Sequence, residues 1–309
     1  MAITNKVATG IWRLADPKIS ITSVASMAIG ASIVALETDI NWTWLVITGL
    51  TLFCMEVAKN AWGDIYDYDS GTDLAVAEED RTNFSGGKRV MVDDLLSRAQ
   101  TWAVAFVFGL IGLVLGACIV FLREPMALWA GIIGLFFGWS YHGPPLRLAY
   151  RGLGELDVIL VYGPMIALST YLIQTHQLSM DVLLLSLPLG IYIMAFLWVN
   201  EFPDHDADTS AGKRNLVVKL GRFRASRVLP FIYFAGFAIL ALIAGNTHLG
   251  PSAWWGFIAL PTAILVSLWT WRQPETFYRN KPVQPMALLT FVLYPLGICL
   301  AMFLMPAVV

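Results

Sequence analysis

The sequence predicts an all-α integral membrane protein, a bundle of nine transmembrane helices with aspartate-rich loops capping a central site, and three observations predict it. Hydrophobic residues make up 57% of the 309 positions and charged ones only 14%, whereas a soluble domain averages about 45–50% and about 25%. The apolar residues gather into runs near the roughly 20 residues that cross a hydrocarbon core. The basic residues sort into alternate connections between those runs.

Nine runs meet the length criterion, at roughly 19–36, 42–59, 100–121, 126–141, 156–173, 182–199, 228–245, 253–271 and 286–308. Inside a bilayer a single segment satisfies its own backbone only as a helix, so each run reads as one. The alternating ten-residue strands of a membrane barrel are absent. The fourth run is short and ends in Gly-Trp-Ser-Tyr-His-Gly-Pro-Pro, which marks an early stop. The N-terminal stretch has no short apolar core followed by a cleavage site, so the first run is expected to stay as a span. The whole of 1–309 reads as a single membrane domain.

The connections differ sharply in charge. Of 20 Lys and Arg, all but Arg123 lie in or beside 1–18, 60–99, 142–155, 200–227 and 272–285. The positive-inside rule places those segments and the N-terminus in the cytoplasm, and nine crossings place the C-terminus on the opposite side. Arg222, Arg224 and Arg227 fit anionic headgroups. The net charge of −2 gives a nucleic-acid partner no support. Cys54, Cys118 and Cys299 sit in apolar runs at spacings that suit neither disulfides nor zinc, and read as packing residues. Most of the 12 Trp lie near span ends, as interfacial anchors do.

Two acidic segments carry the chemistry. The first, Asn60-Ala-Trp-Gly-Asp64-Ile-Tyr-Asp67-Tyr-Asp69-Ser-Gly71-Thr-Asp73, follows the second run directly. If the helix continues, Asn60, Asp64 and Asp67 share a face. The second, Asn200-Glu201-Phe-Pro-Asp204-His-Asp206-Ala-Asp208, follows the sixth run, and Asp204 and Asp208 share a face. Carboxylates this close repel unless a cation stands between them. Magnesium joins one or two carboxylates to substrate phosphate oxygens, so two clusters on one membrane side suit a bound diphosphate. Arg81, Lys88 and Arg89 follow the first cluster, and Lys213 and Arg214 follow the second. Such cations bind phosphate oxygens. A solvated surface loop is the alternative for any one Asp, and it accounts poorly for two clusters that each end a span and are trailed by basic residues. An EF-hand does not fit the ligand order.

These residues resemble the UbiA superfamily of intramembrane aromatic prenyltransferases, and within it the MenA-type branch, which prenylates 1,4-dihydroxy-2-naphthoate. The likeness covers nearly the whole chain. Arg13 to Pro17 is similar to the entry of the first helix. Asp64-Ile-Tyr-Asp67 with Gly71-Thr-Asp73 is similar to the first motif, and Asp80-Arg81-Thr82 to the Arg-Thr after it. Tyr141 to Glu155, which includes Arg147, looks like the connection between the fourth and fifth helices. Asn200 to Val218 looks like the second motif. The family usually has Asn immediately before the first motif Asp, and here that place is Gly63.

The resemblance implies a nine-helix bundle and Mg2+-dependent transfer of an isoprenyl chain from a polyprenyl diphosphate to an aromatic acceptor, 1,4-dihydroxy-2-naphthoate or a close analogue. It implies Asp64, Asp67, Asp73, Asp204 and Asp208 as metal ligands. Asn60, Arg81, Lys88, Arg147, Asn200 and Lys213 are implied as contacts to diphosphate or acceptor, and Tyr141 as a further catalytic residue. Glu56 reads either as a partner of Lys59 or Lys88 or as a site residue. His142 and His205 read as loop histidines able to act as bases. Two other readings stay open: a membrane terpene synthase that uses the same site without an acceptor, and a transporter. Transporters favour carboxylates at broken helices near the midplane, whereas these stand at span ends.

Overall fold

A computed structural model of the protein describes residues 2–304. The last residues of the ninth run, and with them the expected position of the C-terminus, lie outside the described residues. Among the described residues the structure is helical, with no strand. The principal helices are α1 (Ala2–Ala15), α2 (Pro17–Glu37), α3 (Trp42–Ser70), α4 (Arg98–Leu122), α5 (Ala127–His142), α6 (Gly154–Thr175), α7 (Met180–Ser210), α8 (Arg222–Asn246), α9 (Gly250–Arg272) and α10 (Val283–Leu304).

Eight helices among the described residues are long and apolar enough to cross a membrane. The ninth expected span is α5, which has 16 residues and rises about 24 Å. It stops where Gly143, Pro144 and Pro145 leave the helical path. Its Trp129, Ile132, Ile133 and Phe136 are nevertheless exposed to the surroundings of the bundle, as lipid-facing residues are.

α7 is the central helix. Its apolar window is 67% buried, against 22% for the peripheral α4. It packs against α8, α10 and α6, with Tyr192, Phe202, Phe291 and Tyr294 fully buried between them. The Tyr294 hydroxyl donates to Leu185 O at 2.7 Å, so burying it leaves no unmet donor. α6 is kinked at Gly163-Pro164, where the proline removes a backbone donor.

Both acidic segments, expected as loops, are helical through their aspartates because each span helix continues past its apolar run. α3 runs on through Asp64 and Asp67 to Ser70, and α7 runs on through Asp204 and Asp208 to Ser210. Each stops at a glycine in the left-handed region, Gly71 at φ 81° and Gly212 at φ 74°. That conformation is costly for other residues and ends a helix cleanly. The carboxylates thus stand on rigid helix ends, with loops only beyond them.

The segment 71–97 folds back over those ends and is clamped at several points. Asp80 receives Arg279 through two bonds of 2.8 and 3.0 Å, Arg13 meets Asp93 at 2.6 Å, and Lys88 pairs with Asp16. Val90 and Leu96 pack with Leu14, Val57 and Ile65, which joins the segment to α1 and α3 by apolar contact.

Candidate active site

Continuing α3 as a helix puts Asp64 and Asp67 on its inner side, both buried. Asp64 accepts from the amides of Val90 at 3.3 Å and Met91 at 3.4 Å, and so holds the capping segment. Asp67 faces α7 and the 143–155 connection. Its Oδ1 accepts from the Tyr150 hydroxyl at 2.9 Å. Its Oδ2 lies 3.5 Å from His142 Nε2 and 3.9 Å from Lys213 Nζ.

Lys213 joins the two motifs. Its ammonium stands 3.5 Å from Asp208 Oδ1 as well as near Asp67. Burial works against the Lys213 charge, but Asp208 and then Asp67 outweigh it and hold its pKa well above the ordinary lysine value. Asp208 is fixed on its other oxygen by Asn215 Nδ2 at 2.7 Å. Asn215 also accepts from the Val218 amide at 2.8 Å and caps the short helix Leu216–Leu220.

Asp73 completes the acidic group. Burial, followed by the charges of Asp67 and Asp64, pushes its carboxyl well above the usual range. Its Oδ2 is buried with no hydrogen-bond partner. Gly87 of the capping segment lies so near that a Cβ there would stand 2.2 Å from Asp73 Oδ1. Asp204 Oδ1 and Asn200 Oδ1 are likewise buried without hydrogen-bond partners, and Asp208 Oδ1 has only the Lys213 ammonium at 3.5 Å. Unmet buried acceptors are costly, and these are hard oxygen donors of the kind magnesium takes. Among the described residues no three such side chains could hold a metal ion by themselves. A Mg2+ shell drawn from one or two carboxylates, with diphosphate and water oxygens supplying the rest, fits this donor set.

The other expected contacts are placed as follows. Tyr141 lies under Lys59, whose Nζ is 4.3 Å from the ring centroid. Arg147 is exposed, with its guanidinium 5.5 Å from the Tyr150 ring. Asn60 donates to Leu14 O at 2.8 Å, Arg81 donates to Val76 O, and Lys88 is held by Asp16. Those three brace α1 and the capping segment. Asp69 forms a paired contact with Arg98, and Asp206 contacts His205 and Arg222. Both are exposed, away from the acidic group.

Tyr150 and Asn215 were not legible as site residues. Tyr150 reaches Asp67 because the 148–155 connection docks on the second motif. The Arg214 amide donates to Tyr150 O at 3.2 Å, and Glu155 accepts from the Leu216 amide at 2.5 Å. Glu155 and Glu201 are also buried beside the second motif. The Tyr150 hydroxyl is pushed up to about 12 by burial and then by the Asp67 charge, so it remains a donor across the physiological range. Tyr150→Phe is expected to reduce kcat about 3–10-fold, the worth of one hydrogen bond of about 1 kcal/mol. The stability of the purified protein should change little, and steady-state kinetics with a melting curve checks both.

The chain is therefore a multi-pass helical membrane protein whose acidic helix ends, from opposite halves of the sequence, meet at one end of the bundle around a partly buried lysine. It belongs to the UbiA prenyltransferase family, which matches residues 23–294, and it is an enzyme of the prenyltransferase class. A 2-carboxy-1,4-naphthoquinone phytyltransferase of Synechocystis sp. is 29% identical over 249 residues, covering 75% of this chain and 73% of the relative. A 1,4-dihydroxy-2-naphthoate octaprenyltransferase of Bacillus subtilis is 22% identical, covering 80% of this chain and 76% of the relative. The solved structure of a UbiA homolog from Archaeoglobus fulgidus bound to GPP and Mg2+ has the same fold, with a TM-score of 0.64 at 14% identity over 94% of this chain and 99% of that one.

Proposed function

We propose that the protein transfers an isoprenyl chain from an allylic polyprenyl diphosphate to an aromatic acceptor of the 1,4-dihydroxy-2-naphthoate type, with Mg2+ as cofactor. The observation that carries this reading is Lys213 set between Asp67 and Asp208, with unpaired carboxylate oxygens of Asp73 and Asp204 around it. The similarity to the two naphthoate and naphthoquinone prenyltransferases supports the choice of acceptor. The charge bias of the connections supports an aspartate end facing the cytoplasm, with α5 counted as a crossing and the termini on opposite sides.

Asp64, Asp67, Asp73, Asp204 and Asp208 are the residues that would hold Mg2+ ions, one or two carboxylates to each, and the bound ions would supply charge neutralisation for the leaving diphosphate. Lys213 adds fixed positive charge on the same side. The allylic C–O bond breaks with its electron pair going to the diphosphate, the ring carbon attacks the allylic cation, and the ring loses a proton or carbon dioxide. Tyr150 holds Asp67 in place. The clamped segment 71–97 keeps water from the cation. Arg147 and Tyr141, on either side of the Gly143-Pro144-Pro145 bend, serve the acceptor.

The test is diphosphate release and product mass from purified protein in detergent with geranylgeranyl diphosphate and Mg2+, with and without 1,4-dihydroxy-2-naphthoate. Acceptor-dependent release of diphosphate with a prenylated naphthoquinol-type product is expected. Release without acceptor, giving a cyclic hydrocarbon, would instead mark a terpene synthase. Silence over a broad panel of donors and acceptors would overturn this assignment of donor and acceptor.

A further inference from the structure

We propose that His142 is a positioning residue of the first aspartate motif, seated against Asp67 in a notch that Gly63 leaves in α3. The inference rests on the prenyl-transfer reading, in which Asp67 serves the diphosphate end of the site.

Gly63 is buried one residue before Asp64. A Cβ built on it would lie 2.8 Å from His142 Cε1 and 3.0 Å from Nδ1. The imidazole therefore occupies the volume that any side chain at position 63 would need. From that seat its Nε2 stands 3.5 Å from Asp67 Oδ2. The other ring nitrogen, Nδ1, is buried and has no hydrogen-bond partner among the described residues.

A histidine kept only for packing would pair that nitrogen or be replaced by an apolar ring, because an unmet buried polar atom costs stability. What the placement gains is control of a carboxylate. Asp67 is met by Tyr150 on one oxygen and by His142 and Lys213 on the other, and these three come from separate segments. With Oδ2 faced from two directions, the carboxylate cannot swing about its last torsion. The first motif is thus completed by a side chain from the end of α5, and Gly63 is the residue that admits it.

This predicts energetic coupling between positions 63 and 142, to be read by two measurements. One is the KM for geranylgeranyl diphosphate set against kcat. The other, independent of turnover, is the Mg2+ concentration at half-maximal thermal stabilisation of the protein by inorganic pyrophosphate. His142→Ala is expected to raise both concentrations about tenfold, the scale for losing a partner that orients a metal-site ligand. His142→Gln, whose amide nitrogen reaches nearly the position of the imidazole Nε2, should recover most of the loss. His142→Asn, whose amide lies nearer Nδ1, should not.

Gly63→Ala should match His142→Ala because it displaces the ring, and the double variant should be no worse than either single one. Additive losses, a glutamine variant as impaired as the alanine, or an unchanged Mg2+ midpoint with pyrophosphate in His142→Ala would each overturn the proposal while prenyl transfer stands. If Gly63→Ala fails to fold, the His142 series alone decides. A wild-type protein that neither binds pyrophosphate with Mg2+ nor turns over the prenyl diphosphate would overturn the prenyl-transfer reading, and this inference with it.

Discussion

Asp67→Asn is expected to lower kcat for prenyl transfer by about 10²–10³-fold, the scale of removing one preorganised electrostatic contact in an active site, with little change in melting temperature. The amide has the shape of the carboxylate, and its oxygen can still accept from the Tyr150 hydroxyl, 2.9 Å away in the native protein. What it loses is one negative charge in a group that also holds Asp64, Asp73 and Asp204. Asp67 is among the charges that push the Asp73 carboxyl up, so neutralising it relieves repulsion. Lys213 gives up Asp67 but keeps Asp208 as its counter-charge, so stability should hold while activity falls. Turnover within threefold of wild type would sink the assignment of Asp67 to the diphosphate site. A melting temperature that falls along with activity would mean that Asp67 is mainly a structural residue.

Lys213→Met should damage stability and activity together. The ammonium is the shared counter-charge of Asp67 and Asp208, and its side chain is only 15% exposed. Removing one partner of a buried ion pair typically costs about 3–5 kcal/mol because the other charge is left uncompensated, and here two carboxylates lose their partner. Adding Asp67→Asn to Lys213→Met should restore part of the lost stability, since only Asp208 then remains unpaired. Melting curves of the two variants check this, and a double variant less stable than Lys213→Met would refute it.

The pH dependence follows from the direction of the Lys213 shift. Its folded pKa is raised above the unfolded value, so its contribution is fully present below about pH 10.4 and is lost only as pH rises through the folded value. A stability profile between pH 6 and 9 should therefore show no step that Lys213→Met removes.

Membrane spans were legible because crossing a bilayer imposes a length and a composition on each segment by itself. α2 through α10 fall on the expected runs, and α5 is short for a local reason, the Gly143-Pro144-Pro145 sequence that ends it. The pairing of Asp64 with Asp67, and of Asp204 with Asp208, was legible for the same kind of reason. Helical spacing places residues three and four apart on one face whatever surrounds them. That α3 and α7 run on as helices through these residues, where the spans alone left loops, was decided by the structure, with left-handed Gly71 and Gly212 beyond their ends.

Partner choice across the fold was not readable in this way. Lys88, Arg81 and Asn60 carry the chemistry of diphosphate ligands, yet they contact Asp16, the Val76 carbonyl and the Leu14 carbonyl. Tyr150, which no motif spacing singled out, reaches Asp67 across 83 residues of sequence. The sequence alone therefore determined what repeats locally: the apolar runs, the shared faces of the acidic residues and the basic bias of one set of connections. Only the tertiary structure decided that Lys213 stands between the two acidic helix ends, and that the ring of His142 fills the space beside Gly63. Those contacts depend on how helices from distant parts of the chain pack, and a single side chain can reach several partners until packing leaves it one.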